Sequence, residues 1–396
     1  MKILAISNRV PATEKKGDQV VSFFRLTHLA RMGHSVEVIC FGDPRRDEDR
    51  QAQKILEAAG IMVHFVRWNV LEAVRNLLGA LLRPNTPFQC ALYKSTRFEK
   101  LIDYVSFRLQ PDALYCVMVR VASNAASYKG RIFVEMIDSM GLNFSSRVGL
   151  AKGPIRWMLD VERHRVSAFE KTLVDRAEQS FVVSNIDRQA IGSAKVETIP
   201  LGIDMERFAK NRCVGDYPVL TFTGNMHYQP NVDAVCWFVQ HCWARIKTAI
   251  PDARLVIAGN EPQPRIISLS TNDSSISVTG RVPSIADVLN TATVAIAPMQ
   301  SGSGMQFKIL EAMACGVPVV TTTLGLGDIA AQPGKDLLIA DDPLEFSNSV
   351  IRLIHSAELN QAVGDNGLQY VSHNHSWDAM NQKFLRMCGL PKNIRP

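Results

Sequence analysis

Short apolar segments alternate with segments of helical length along this 396-residue chain. The first cycle has a buried strand at Lys2–Ser7, a polar loop at Asn8–Asp18 and a helix ending at Met32. A second strand at Ser35–Cys40 completes a βαβ unit, in which strands pair in parallel because the helix provides the long crossover. A new cycle begins near Tyr217. The pattern predicts an α/β protein with two doubly wound, Rossmann-like domains.

The same pattern predicts the remaining elements and a junction at Ile199–Arg212, where an apolar segment gives way to a charged one. The N-terminal domain is therefore predicted at 1–200 and the C-terminal domain at 201–375. The predicted strands are Met62–Val66, Ala113–Val119, Ile132–Met136, Ser180–Val183, Val219–Phe222, Arg254–Ala258, Ile276–Thr279, Val294–Ala297, Val317–Thr321 and Asp336–Ile339. The predicted helices are Asp49–Ala59, Arg97–Leu109, Arg156–Ala177, Asn231–Ala249, Met305–Ala314 and a final one near Trp377–Cys388.

Composition narrows the classes of partner. Lys and Arg number 44 against 38 Asp and Glu, so nucleic acid is not predicted, and an anionic small molecule or membrane surface suits the balance better. Eight cysteines without a Cys-x-x-Cys pair indicate reduced thiols in a cytoplasm. None of the nine histidines has a partner at metal-ligand spacing, so no metal is predicted. Neither a signal peptide nor a membrane span is expected.

The segment Pro298–Thr323 carries the strongest chemical signal. A small-residue loop, Ser301–Gly304, leads from a buried strand into a helix, and such a helix start favours anions through its free N–H groups and dipole. Lys308 and Glu311 lie on one face of that helix, a cation for phosphate beside a carboxylate for sugar hydroxyls. The alternative is an ordinary strand–turn–helix–strand unit with a surface ion pair.

The sequence KILEAMACGVPVVTT, which begins at Lys308, resembles the donor-site helix of glycosyltransferase family 4. Family members carry the glutamate that matches Glu311 and usually another at the position of Ser303. The lysine at 308 resembles a subgroup of exopolysaccharide-associated sugar transferases. IPLGIDMERF, from Ile199, is similar to the family's domain hinge. The resemblance implies a GT-B fold with the ligand in a cleft between two domains, a helix at 376–396 packing back on the first domain, and no need for a metal.

The resemblance also implies roles for residues in the second domain. Lys308 is the first choice for the catalytic group, because it can stabilise the leaving diphosphate, and Glu311 is expected to bind the ribose hydroxyls. Arg281 is equally compatible with a phosphate contact and with a solvated charge, and the backbone beside it is expected to meet the nucleobase. Asn231 is interpreted as a helix N-cap. The predicted donor-binding residues are Gly17, Gly224, Asn225, His227, Arg281, Val282, Ser303, Gly304, Met305 and Glu311.

In the first domain, Gly17 matches a family glycine that approaches the donor phosphate. Arg9 and Asp18, at the two ends of the same loop, are predicted on the acceptor side. Asp138 follows a strand where family members place a catalytic-site histidine or aspartate, so it is the second catalytic candidate. Its alternative interpretation is a helix N-cap together with Ser139.

A helix at Val70–Leu82 has apolar residues at helical spacing with charges between them. We expect most of its apolar face to pack on the core of the first domain. The alternative is peripheral contact with a membrane, to which the basic and apolar patch around Arg156–Met158 would add.

Together these features predict a cytoplasmic, retaining glycosyltransferase, which would act at the inner face of the membrane if it contacts one. It would move a hexose from a nucleotide diphosphate sugar to a glycan or lipid-linked acceptor in cell-surface polysaccharide synthesis. The alternatives are a GT-B sugar-nucleotide epimerase and a non-catalytic sugar-nucleotide binder. A dinucleotide-dependent oxidoreductase is disfavoured, because no strand is followed by Gly-x-Gly-x-x-Gly.

Overall fold

The structure is a computed structural model that describes residues 1–13, 17–83, 85–213, 215–302 and 305–390. The chain divides into two compact units. Unit 1 comprises Met1–Leu201 and the chain from Met380 onward, and unit 2 comprises Gly202–Ala379.

Within the described residues, unit 1 contains a parallel sheet of seven strands in the order β3-β2-β1-β4-β5-β6-β7. Its strands are β1 (Lys2–Ser7), β2 (Ser35–Phe41), β3 (Ile61–Val66), β4 (Ala113–Val117), β5 (Arg131–Ile137), β6 (Gln179–Val182) and β7 (Val196–Thr198).

Unit 2, as far as it is described, contains a parallel sheet of six strands in the order β10-β9-β8-β11-β12-β13. Its strands are β8 (Val219–Thr223), β9 (Arg254–Ala258), β10 (Ile276–Gly280), β11 (Val294–Ala297), β12 (Val319–Thr321) and β13 (Leu338–Ile339). Both sheets repeat one doubly wound order, so the predicted fold class is confirmed.

Helices connect the strands of both units. Those of unit 1 include α1 (Gly17–Arg31), α2 (Asp47–Ala58), α3 (Val70–Leu81), α4 (Phe88–Tyr93), α5 (Thr96–Leu109), α6 (Val119–Ala122), α7 (Met140–Leu150), α8 (Gly153–Arg176) and α9 (Asn185–Ile191). The following helices are α10 (Gln229–Phe238), α11 (Ala244–Ala249), α12 (Pro264–Asn272), α13 (Ile285–Asn290), α14 (Phe307–Ala314), α15 (Thr323–Leu326), α16 (Pro343–His355), α17 (Ala357–Asn374) and α18 (Trp377–Met387).

The central strands are apolar on both faces because helices cover both faces of a parallel sheet. Every residue of β4, β8 and β11 is buried, and β4 and β11 accordingly read as continuous apolar segments in the sequence. Arg25 on α1 is buried against Glu135 of β5, with 3.3 Å between Nε and Oε2, and its Nη1 donates to Asn381 of α18 at 2.7 Å. The last described helix is thereby tied into the first sheet.

Several element predictions are corrected. Unit 1 contains β7, α4 and α7, which the sequence pattern did not reveal. The predicted helix at Asn231–Ala249 begins at Gln229 and contains a π-helical segment, Val239–Trp243, between α10 and α11. The helix predicted from Met305 begins at Phe307.

The predicted orientation of α3 is wrong. Its apolar face does not pack on the core, since Leu71 is 81% exposed, Leu78 is 60% exposed and Leu82 at its end is 86% exposed. Ala73 and Ala80 are its buried residues, and small side chains there let the helix lie close to the unit. No helix in the described parts of the chain has both the length and the apolar character required to cross a membrane.

Candidate functional site

The strand order places the candidate donor site at a topological switch point of unit 2. β8 and β11 are neighbours in the sheet, and the chain leaves β8 toward β9 on one side and β11 toward β12 on the other. Ligands of open parallel sheets bind at the carboxyl ends of strands where the order reverses in this way. The two loops that flank this point are Gly224–Tyr228, after β8, and the segment from Pro298 to Gln306, of which residues 303 and 304 lie outside the described residues.

Two glycines pack the strand ends at this edge tightly. An added Cβ on Gly224 would lie 2.7 Å from the Asn231 amide nitrogen and 3.4 Å from Cε of Lys308. A Cβ on Gly259, at the end of β9, would lie 1.7 Å from the Gly224 carbonyl oxygen. Both glycines have positive φ, at 155° and 152°. Glycine is required at position 259 because the two backbones approach each other directly, and at position 224 a side chain would crowd Asn231.

Lys308 is a residue of α14, and its side chain reaches across this switch point. Its Nζ donates to Oδ1 of Asn231 at 3.0 Å and to Oε1 of Gln306 at 2.8 Å. It also lies 5.4 Å from the ring centroid of Phe222 on β8. The ammonium group is therefore held by the neutral side chains of Asn231 and Gln306, so its charge is available to an anion.

Asn231 is corrected from an N-cap to a residue of the site. It lies inside α10, whose N-cap is Tyr228, and it is buried. Its Nδ2 donates to the Asn225 carbonyl at 2.9 Å while its Oδ1 accepts from Lys308. Asn231 thus orients Lys308 and fixes the loop after β8.

Burial shapes the ionisation of both charged groups on α14. It lowers the pKa of Lys308 to about 8, and the nearby Glu311 carboxylate opposes that shift. Burial raises the pKa of Glu311 above its usual range, while Arg207 and Lys308 act to lower it. No described residue forms a hydrogen bond with the Glu311 carboxylate, so its oxygens can accept bonds from ligand hydroxyls.

The structure brings only part of the predicted donor set together. Asn225 is exposed, and its Oδ1 accepts from the backbone N–H of His227, which closes the turn after β8. Arg281 is exposed and Val282 half-buried after β10, two strands from β8, which is roughly 10 Å away across a sheet. Met305 is half-buried before α14. The predicted residues Ser303 and Gly304 lie outside the described residues.

In unit 1 the predicted acceptor-side pair forms an ion pair. Arg9 Nη1 lies 2.8 Å from Oδ1 of Asp18, and Asp18 is buried in the first turn of α1. Gly17 begins that helix, and an added Cβ would meet no described atom within 4 Å. Asn8, which the sequence analysis did not single out, is buried directly after β1, and both polar atoms of its amide lack a partner among the described residues. Its position at a strand end beside a polar loop was the available signal.

Asp138 follows a strained turn at the end of β5. Ile137 has a φ of 70°, and the Asp138 N–H donates to the Met136 carbonyl at 3.0 Å, which closes a three-residue γ-turn. A β-branched residue at positive φ is a rare conformation that surrounding structure must hold in place. Partial desolvation and the neighbouring Asp187 carboxylate raise the pKa of Asp138, although the residue retains solvent exposure.

The N-cap of α7 is Ser139, whose hydroxyl accepts from the Leu142 N–H, so the capping role falls on Ser139 rather than Asp138. Glu170 of α8 reinforces this helix start by accepting from the N–H groups of Met140 and Gly141. Burial raises the pKa of Glu170 to about 7.

No group of three His, Cys, Asp or Glu side chains in the described parts of the chain is arranged to hold a metal ion. The cysteines are unpaired thiols, and seven of the eight are buried. Metal independence stays a prediction.

The comparisons with known proteins agree on one class of protein. Residues 217–356 match the family model described as "Glycosyl transferases group 1". An uncharacterized 44.6 kDa protein in the cps region of Klebsiella pneumoniae is 21% identical over 94% of this chain and 96% of its own length. A GDP-mannose-dependent alpha-(1-6)-phosphatidylinositol dimannoside mannosyltransferase of Mycobacterium tuberculosis is 29% identical over 56% of this chain and 60% of its own length.

Among solved structures, Anabaena Alr3699/HepE in complex with UDP superimposes with a TM-score of 0.63 at 14% identity. The match covers 98% of this chain and 100% of that one. The fold is therefore GT-B. The family match and the relatives support a glycosyltransferase.

Proposed function

We propose that this protein is a retaining glycosyltransferase, similar to family 4, that transfers a hexose from a nucleotide diphosphate sugar to a glycan or lipid-linked saccharide. The observation that carries the proposal is Lys308. Lys308 is a half-buried cation at the switch point of unit 2, and its hydrogen-bond partners are neutral. Three residues later in the same helix is Glu311, whose carboxylate has no described hydrogen bond. A nucleoside diphosphate supplies the complementary groups, two phosphates for the cation and ribose hydroxyls for the carboxylate.

In this proposal, positioning and charge stabilisation do most of the catalytic work. Lys308 and the N-terminal N–H groups of α14 stabilise the negative charge that develops on the leaving diphosphate. Glu311 accepts hydrogen bonds from the ribose hydroxyls. The leaving phosphate oxygen takes the proton of the acceptor hydroxyl, and Asp138 contacts the reacting sugar. No metal is required, so EDTA should leave turnover unchanged.

The relatives support the substrate class without fixing the donor base. The name of the Mycobacterium tuberculosis relative includes GDP-mannose, and the Anabaena structure contains UDP. The cps-region relative of Klebsiella pneumoniae supports a role in cell-surface polysaccharide synthesis, with the exopolysaccharide subgroup as the specific assignment.

The test combines binding and turnover. Thermal unfolding is followed with UDP, GDP and ADP, with their sugar conjugates and with NAD(P). Ligand at 100 times its Kd should stabilise the protein by about 2.7 kcal/mol. We expect one nucleoside diphosphate family to stabilise the protein, whereas stabilisation by NAD(P) alone would contradict the proposal.

Turnover distinguishes an enzyme from a binder. With the stabilising sugar nucleotide, Lys308→Ala should reduce release of nucleoside diphosphate about 100-fold or more while weakening nucleotide binding far less. Lys335→Ala, at an exposed lysine of the same unit, is the matched control. Equal losses of binding and turnover would make Lys308 a binding residue only. Conversion of the donor sugar without transfer would favour the epimerase.

A further inference from the structure

Unit 1 exposes large apolar side chains on two of its helices. These side chains lie on α3 and at the start of α8, and we call the two sets together the α3–α8 surface. On α3 and its end its members are Val70, Leu71, Val74, Leu78, Leu81 and Leu82. On the first turns of α8 they are Ile155, Trp157 and Met158.

The inner face of α3 is occupied by polar contacts, so the apolar face cannot turn inward without breaking them. Glu72 accepts from the Ser95 hydroxyl at 3.0 Å and from the Thr96 N–H at 2.8 Å. The Asn76 amide donates to the Lys94 carbonyl at 2.7 Å. The helix packs inward through these polar contacts and through Ala73 and Ala80, while its large apolar side chains face outward, unlike those of an ordinary amphipathic surface helix.

A hydrogen bond joins the two helices. Arg165 of α8 donates to the carbonyl of Ala80, near the end of α3, at 3.2 Å, and it stacks over the ring of Phe88 at 4.6 Å. Trp157 precedes Arg165 by eight residues, about 12 Å along the helix. It is 72% exposed, which is unusual for the largest apolar side chain unless it has a partner.

The exposed charges of the two segments are basic. From Trp68 to Arg83 the only acidic residue is Glu72, which is committed to the inner contacts. From Arg147 to Met158 the sequence contains three basic and no acidic residues. Arg83, Lys152 and Arg156 are exposed beside the apolar side chains. An apolar face bordered by arginine and lysine complements an anionic lipid surface, into which leucine and tryptophan insert while the cations meet phosphate.

We propose that the α3–α8 surface docks on an anionic lipid bilayer, with α3 lying in the plane of the interface. The exposed apolar side chains supply the insertion, and the basic side chains supply selectivity for anionic lipid. This inference is independent of the donor site, since it uses residues of unit 1 that take no part in the proposed chemistry.

The test is co-sedimentation of the full chain with vesicles of phosphatidylglycerol and phosphatidylcholine, compared with pure phosphatidylcholine vesicles. We expect binding to the mixed vesicles that weakens from 0.1 to 0.5 M NaCl. The double variant Leu71→Glu/Leu78→Glu should reduce the partition coefficient at least tenfold, and Trp157→Gln at least threefold. Nucleotide-induced thermal stabilisation should not change in either variant.

Tyr104→Glu/Phe107→Glu on α5 is the matched control, because it places two carboxylates at exposed aromatic positions outside the surface. It should bind vesicles as the unmodified chain does. Failure of the unmodified chain to bind mixed vesicles, equal binding to neutral vesicles, or undiminished binding by both surface variants would overturn the proposal. A dimer that the surface variants dissociate, without vesicle binding, would identify a second copy as the occupant instead.

Discussion

Lys308 combines two requirements of the proposed donor site. It must be charged to hold the proposed diphosphate, yet its partial burial favours the neutral amine. Partners without charge, Asn231 and Gln306, orient the ammonium group without neutralising it. The charge on Lys308 should therefore depend on pH near neutrality, whereas the charge on an arginine or a salt-bridged lysine would not.

That sensitivity is testable. With a pKa of about 8, Lys308 is mostly charged at pH 7 and about one tenth charged at pH 9. We expect the affinity for the nucleoside diphosphate to fall about tenfold between these pH values, since the protonated form binds. Calorimetric titration at pH 7, 8 and 9 measures it. Lys308→Arg, which stays charged, should flatten the profile, and an unchanged slope in that variant would assign the titration to another group.

Replacing Gly259 by a larger residue should destabilise the protein through a steric clash. Gly259→Ala places a methyl group 1.7 Å from the Gly224 carbonyl oxygen and should reduce the free energy of unfolding by about 2–4 kcal/mol. Gly334→Ala is the control, because Gly334 also has positive φ but would meet nothing within 4 Å, so we expect a loss of only about 1 kcal/mol. Urea unfolding followed by fluorescence compares the two. Similar losses would mean that the strand ends can separate.

At the scale of elements, the start of α7 depends on a carboxylate from α8. Glu170 is buried and its pKa is raised to about 7, so between pH 4.5 and 7 the folded state holds a proton that the unfolded state has lost. Stability should therefore fall as pH rises through that window, by up to roughly 3 kcal/mol. Urea unfolding at pH 5, 6, 7 and 8 measures this.

Glu170→Gln should remove that part of the pH dependence, because the amide does not titrate. Glu358→Gln, at an exposed position in the first turn of α17, should leave the profile as it is. If Glu170→Gln retains the full slope, the shifted group lies elsewhere.

The sequence predicted elements well where one physical signal dominated. Val294–Ala297 is a strand with the predicted bounds, because a strand buried on both faces is apolar throughout. Arg254–Ala258 also has the predicted bounds, although its first residue is an exposed arginine. β7 and α4 escaped detection because three and six residues are too short for a periodic pattern. α3 was recognised as a helix, but periodicity reports an apolar face without saying what covers it, so its orientation was missed.

The candidate site was predicted in outline for similar reasons. A loop that leads into a helix with Lys308 and Glu311 is a local pattern, so it is visible in the sequence. Asn231 was assigned to capping because an amide near a helix start suits a cap equally well, and its contact with Lys308 spans 77 residues. The position of Asn8 after a strand was visible in the sequence, but its burial without a described partner was not, because that is a property of packing.

At the scale of the molecule, unit 1 is built from both ends of the chain. The Asn381 side chain accepts from Arg25 at 2.7 Å and donates to the Phe24 carbonyl at 3.0 Å. Asn381→Ala removes both hydrogen bonds and should destabilise unit 1 by about 2–3 kcal/mol. Gln382→Ala, at the exposed neighbouring position, should change stability by less than about 0.5 kcal/mol. Hydrogen exchange of β1 and β5 reports the loss, and equal protection in both variants would contradict it.

This arrangement has a consequence during translation. The ribosome releases Met1–Leu201 early, yet the helix that ties into Arg25 emerges only after the whole of unit 2. At 5–20 residues per second, that delay is roughly 10–35 s. For this interval the nascent sheet exposes a surface that the finished protein buries, including the charged pair of Arg25 and Glu135. The half that is made first is therefore the part of the chain most open to holdase chaperones during synthesis.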